Sequence, residues 1–166
     1  WWPGVQFAGK DNLRQQSAIW QAMLLSAELP PSTQIFIGGF INSGGQKMSK
    51  SLGNVISPFE LTAKYGVEAT RYLLLRHVHP FEDTDVTWDR LDEWYTANLV
   101  NGLGNLTARI MKMAETHLED PVDTKDVTTM DHAALERFEF QTVLDGVWNA
   151  IGQMDEYITE NEPFKV

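Results

Sequence analysis

The apolar positions change period along this chain, and each change marks an element. Residues 5–8 (VQFA) form a short apolar run ahead of Gly9-Lys10-Asp11, which predicts a buried strand ending in a turn. Leu13, Ile19, Trp20, Met23, Leu24 and Ala27 then recur near a 3.6-residue period, which predicts one helix over 13–27. Leu29-Pro30-Pro31 stops it, because proline lacks a donor and restricts the residue before it. Residues 34–41, rich in β-branched and aromatic types, predict a second strand. Strand, helix, strand is the pattern of a right-handed crossover in a parallel sheet. A polar loop over 44–54, GGQKMSKSLGN, comes next. Ligands of open α/β sheets bind at the carboxyl ends of strands, so Asp11 and this loop are expected to face one crevice.

Ser57-Pro58-Phe59-Glu60 has the form of a capping box with proline at the first helical position. Helices are expected over 58–65 and 67–77, separated by Gly66. Pro80 and the acidic run 82–85 read as a boundary between domains. From Trp88 the pattern is helical again. Leu91, Trp94, Tyr95, Asn98, Leu99, Gly102, Leu103, Leu106, Ile110 and Met113 repeat at threes and fours, to about residue 118. Gly102 and Gly104 are expected to bend this helix or to admit a close neighbour. A polar loop over 119–129 precedes a last helix over 132–158, and no strand is expected in the second half of the chain.

Composition adds three constraints. The 166 residues are 43% apolar, enough for a core. There is no cysteine, which excludes disulfides and thiolate metal sites and fits a reducing cytoplasm. No run of about 18 apolar residues is present to span a membrane. The opening Trp1-Trp2-Pro3 has no leader pattern and reads as the cut edge of a longer chain. The formal net charge is −10 and unevenly spread: seven Lys/Arg face four Asp/Glu in residues 1–80, but six face nineteen in residues 81–166. Phosphate contacts need cations. The acidic half is therefore expected to meet RNA, if at all, at a small patch through base edges and stacking.

The loop over 44–54 carries the strongest chemical signal. Lys47 and Lys50 lie three apart, so one turn can aim both ammonium groups at one point. Its glycines allow positive φ and close approach to a ligand. Serine hydroxyls and free N–H groups can donate to oxyanions. The combination suits a group whose negative charge grows during reaction, such as departing pyrophosphate.

Lys47-Met48-Ser49-Lys50-Ser51, followed by Leu52-Gly53-Asn54, resembles the signature loop of class I aminoacyl-tRNA synthetases, and the flanking residues narrow the resemblance to the methionyl-tRNA synthetase family. The resemblance implies a fold class in two parts. An α/β fragment, the C-terminal part of a Rossmann-like catalytic domain, would precede an all-α anticodon-binding helix bundle. The implied domains are 1–56 (catalytic piece), 57–86 (helical stem-contact linker) and 87–166 (anticodon-binding domain). The implied activity is that of the longer parent. It joins methionine to ATP, releases pyrophosphate and passes the methionyl group to the 3′ end of tRNA(Met). Its implied ligands are ATP with Mg2+, methionine and tRNA(Met), with no membrane and no zinc in this stretch. The family's His-Ile-Gly-His motif and its zinc knuckle are not in these 166 residues and would lie before Trp1, so the stretch alone is expected to be inactive. A valyl, isoleucyl or leucyl synthetase, or a non-catalytic helical tRNA-binding module, are the alternatives.

By position in the motifs, Lys50 and Lys47 would be catalytic. Gly9, Asp11, Ile41, Lys47, Met48, Ser49, Lys50 and Ser51 would contact ATP. Asn12, Gln16 and Trp20 would line the methionine pocket, where a thioether favours an aromatic wall. Asn105 and Arg109 would read anticodon bases from one helix face, and Phe164 would stack on another. Four positions depart from the family pattern. Gln16 stands where histidine is frequent, Asn12 where isoleucine is, Gly38 in place of a histidine before Gly39, and Phe164 in place of tryptophan. The segment between Pro121 and Phe138 is also shorter than a usual bundle helix with its loops. His77, His79, His117 and His132 show no metal-ligand spacing.

Overall fold

The structure, a computed structural model, describes residues 3–120 and 132–165. The chain divides into two compact units. One is Trp1–Ile56 with Val78–Thr87, and the other is Ser57–His77 with Trp88–Val166. Residues 57–86 therefore contribute to both.

In the first unit, strand β1 (Val5–Gly9) pairs in parallel with β2 (Gln34–Gly38), in register from Val5↔Gln34 to Gly9↔Gly38. The connection is helical but not one regular helix. A tight turn at Lys10–Asn12 leads into a wide π-helical stretch, Gln15–Ile19, and then α1, Trp20–Ser26. Such widened turns are frequent at functional sites. The helix ends as Glu28 takes φ 58°, and Leu29 N–H returns to the Leu24 carbonyl.

The second predicted strand is in fact two. β2 stops at Gly38, and β3 (Ile41–Ser43) belongs to a separate three-stranded sheet, in which it is the central strand. The break falls at Gly39, where the Glu82 carbonyl oxygen lies 2.1 Å from the place a Cβ would occupy. β3 pairs antiparallel with β4 (Gln46–Lys47) across Gly44 and Gly45, whose φ angles of 63° and 73° suit the tight two-residue hairpin turn. The acidic run read as a boundary contains a strand: β5 (Thr84–Asp85) pairs in parallel with β3. Two residues carry no alternation, so the pattern could not reveal it. Partner bonds define it instead, Thr84 N–H to the Phe40 carbonyl and Val86 N–H to the Asn42 carbonyl.

In the second unit, α2 (Pro58–Tyr65) begins with the expected capping box. Ser57 Oγ accepts from the Phe59 N–H, and Glu60 Oε2 accepts from the Ser57 N–H, each at 3.3 Å. Gly66, at φ 81°, separates α2 from α3 (Val67–His77). Leu61, Leu73 and Leu91 are buried. The long helix of the pattern is α4 (Trp88–Trp94), a π-helical stretch Tyr95–Gly104, and α5 (Asn105–His117). The π-helical stretch ends in the two glycines. A Cβ on Gly102 would stand 3.1 Å from the Trp148 ring, so this glycine admits a neighbouring helix.

The last expected helix is split into α6 (His132–Glu136) and α7 (Phe140–Asn161), because Phe138 takes φ 61°. Glu162, at φ 44°, caps α7 before Pro163. α7 is tied to α3 by Trp148 Nε1, which donates to Tyr72 Oη at 2.7 Å, and by Arg76 with Asp145. The His77 ring stacks on Trp94 at 4.4 Å, and its Nε2 lies 2.8 Å from Asn98 Oδ1. Most of segment 121–138 lies outside the described residues. Among the described residues no helix is long and apolar enough to cross a membrane.

Candidate functional site

The first unit brings β1, β3 and the hairpin together at one place. Asp11 sits in the turn directly after β1. Lys47, in β4, places its ammonium 3.3 Å from Asp11 Oδ2. The same ammonium lies 4.3 Å from the centroid of the Phe40 ring, and that of Lys10 lies 4.7 Å from it. A cation over an aromatic face gains from the ring quadrupole. Asp83 completes the group: both its oxygens take the Lys10 ammonium, at 2.5 and 2.6 Å, and one accepts from the Phe40 N–H at 2.8 Å. The Lys10 ammonium first, and the Phe40 N–H second, hold the Asp83 carboxyl below its usual range.

The signature loop is a turn braced by Asn54. Its Oδ1 accepts from the Ser49 N–H at 2.8 Å, and its amide donates to the Ser43 and Lys47 carbonyls at 3.4 Å. Ser49 and Ser51 hydroxyls lie 2.8 Å apart. Lys50 is exposed, and its carbonyl accepts from the Gly53 N–H as the turn closes. Met48 is half-buried. Of the two lysines, the structure brings Lys47 to Asp11.

The other sequence candidates fall near this group or in the second unit. Gly9 ends β1, and a Cβ there would meet Asp11 Oδ1 at 3.1 Å. Ile41 begins β3 and is 40% exposed. Asn12 is exposed and donates to Asp11 Oδ1 at 3.3 Å. Gln16 lies in the π-helical stretch, and its carbonyl accepts from Gln21 Nε2. Trp20, four residues on, opens α1. Gln21 itself ties the helix to the chain before β2 through Ser32.

Asn105 and Arg109 lie in the first turns of α5, both exposed. The Arg109 guanidinium is paired with Asp155 of α7. Beside them an apolar groove of about 380 Å³ runs between α5 and α7, lined by Ile110, Met113, Leu118, Met154, Tyr157 and Pro163 among others. Phe164 lies in the turn Pro163–Lys165, and its side chain is outside the described part of the structure. Lys10, Phe40, Asn54, Asp83 and Asp85 were not singled out from the sequence. Lys10 stood inside a quoted motif and Asp83 and Asp85 inside an acidic run, but nothing local pairs them.

Comparison with known proteins gives the family of the chain. Residues 1–111 match the family described as tRNA synthetases class I (M). The methionine--tRNA ligase of Thermosynechococcus vestitus is 47% identical over 115 residues, which are 69% of this chain and 22% of that protein. That of Streptomyces coelicolor is 35% identical, covering 98% of this chain and 33% of the relative. The Mycobacterium tuberculosis methionyl-tRNA synthetase in complex with methionyl-adenylate superposes with a TM-score of 0.82 at 31% identity, over 98% of this chain and 35% of that one. The chain belongs to this class I tRNA synthetase family and spans about a third or less of the length of these relatives.

Proposed function

We propose that this chain is the signature-loop and helical portion of a methionine--tRNA ligase. The parent would join methionine to ATP, supplied with Mg2+, and then transfer the methionyl group to the 3′ end of tRNA(Met). The observation that carries the reading is the approach of Lys47 to Asp11 at the carboxyl end of β1. In the activation step the methionine carboxylate attacks the α-phosphorus, and the bond to the β-phosphate oxygen breaks. The departing pyrophosphate gains charge. Lys50, exposed on its turn, and Lys47, released from Asp11, would neutralise it. One such preorganised contact is worth on the order of 10²–10³ in rate.

Gly9, Asp11, Ile41, Met48, Ser49 and Ser51 would complete this side of the ATP site, with Asn12, Gln16 and Trp20 toward the methionine side chain. Asn105, Arg109 and Phe164 would read anticodon bases, within an all-α domain over 87–166 that follows a linker over 57–86. The parent relation is supported by the methionine--tRNA ligases that align over nearly the whole chain. The stretch alone would not activate methionine, since no His-Ile-Gly-His motif occurs in it. Amino-acid-dependent pyrophosphate exchange by the intact protein tests the reading. Exchange with methionine is expected. Exchange with valine, isoleucine or leucine instead would point to a sister synthetase, and none with any amino acid to a binding module.

A further inference from the structure

The acidic run 82–85 has no part in the chemistry above, yet two of its carboxylates reach the scaffold beneath the signature loop. Asp83 takes the Lys10 ammonium and the Phe40 N–H. Asp85 Oδ1 accepts from the Gly45 N–H at 2.7 Å, in the turn of the β3–β4 hairpin. Here β5 is bonded to β3, and just before Asp83 the Glu82 backbone fills the space that a side chain at Gly39 would need. The Phe81 ring lies 5.1 Å from that of Phe36. The two carboxylates thus grip the scaffold at three places, and each adjoins a loop-bearing group. Lys10 precedes Asp11, the Phe40 ring carries the Lys47 ammonium, and Gly45 precedes Gln46-Lys47.

Stability alone does not explain these carboxylates. The side chains of Lys10 and Asp83 are 45% and 37% exposed, and exposed pairs of this kind add little to the folding free energy. What they do fix is direction. A carboxylate that holds an ammonium and a backbone N–H together sets the turn after β1 against the start of β3.

We propose that Asp83 and Asp85 are positioning residues for the signature loop, acting through Lys10, Phe40 and Gly45 to hold Lys47 and its turn over the end of β1. The role in activation rests on the functional reading above; the clamp itself rests on geometry alone. The experiment therefore has two arms, both on the intact protein. Amide hydrogen exchange is followed in the unsubstituted protein and in Asp83→Ala, Asp83→Asn and Asp85→Ala. Exchange over residues 40–54 should quicken at least tenfold in both alanine variants and less in Asp83→Asn, which keeps an acceptor for Phe40. Exchange elsewhere should be unchanged. In the second arm single-turnover adenylate formation should fall about tenfold in Asp83→Ala while methionine binding is retained, a split that general loss of structure would not give.

Unchanged exchange over 40–54 in both alanine variants overturns the clamp. So does exchange that quickens throughout the chain, since the carboxylates would then serve folding alone. If the unsubstituted protein forms no adenylate, the functional reading falls and the exchange arm alone decides the clamp.

Discussion

The Lys47 ammonium is held by Asp11 at 3.3 Å while it rests on the Phe40 ring. A lysine read from sequence as a phosphate ligand is therefore engaged by a carboxylate and an aromatic face. Both partners are exposed, so the pair is weak and screened by water. On the proposed reading, a polyphosphate carrying several negative charges would replace the single carboxylate.

Lys50 makes the first prediction. It stands exposed on the turn, with its side chain available to a ligand. Lys50→Ala in the intact protein should slow adenylate formation by on the order of 10²–10³. Methionine affinity should stay nearly unchanged. Rapid-quench kinetics with equilibrium methionine binding check both halves, and an unaltered single-turnover rate would remove Lys50 from the mechanism.

Gly39 makes a second. The Glu82 carbonyl occupies the volume of an added methyl group, and both partners are backbone. Gly39→Ala should destabilise the first unit by about 1–3 kcal/mol, the usual cost of forced overpacking. Urea unfolding of the intact protein measures it. Gly152, with nothing near its Cβ position, is the control glycine.

Arg109 lets the two steps of the proposed reaction be told apart. Arg109→Ala should weaken charging of tRNA and leave adenylate formation at the parental rate. Parallel aminoacylation and pyrophosphate-exchange assays distinguish these, and charging at full rate would show that Arg109 reads no base.

His77 gives a pH dependence. Burial against Trp94 lowers its folded pKa from the usual 6.5, despite the opposing bond to Asn98. Between the two values the unfolded chain binds the proton and the folded chain does not, so stability falls as pH drops below about 6.5 and levels off at the folded pKa. His77→Gln should remove that slope. Chemical unfolding midpoints between pH 7 and pH 5 test it; a slope that survives the substitution belongs to another group.

Much of the scaffold was legible because it is local. The capping box at Ser57, the break at Gly66 and the signature loop each announce themselves within a few residues, and the parallel pairing of β1 and β2 follows from the order strand, helix, strand. The remainder depends on partners far along the chain. Lys10 and Asp83 are 73 residues apart, and Asp85 meets Gly45 across 40. Neither strand period nor propensity can expose a two-residue strand such as β5. The widened turns at Gln15–Ile19 and Tyr95–Gly104 were hidden for a related reason, since their apolar spacing still approximates an ordinary helix. Of the candidate site, the meeting of Asp11 with the lysine loop was legible, and the structure shows it at Lys47. The site was not legible where a residue only steadies another, at Asn54, Phe40 and Asp83.

The hydrogen bonds of β5 also bear on how this molecule can be dissected. Trimming at Ile56 would retain every letter of the signature pentapeptide yet discard the ladder that runs beside Ile41 and Asn42. A peptide of that length would carry the motif without its brace. An excised first unit has to extend through Thr87, or the helices in between have to be replaced by a linker that returns the chain to the same edge.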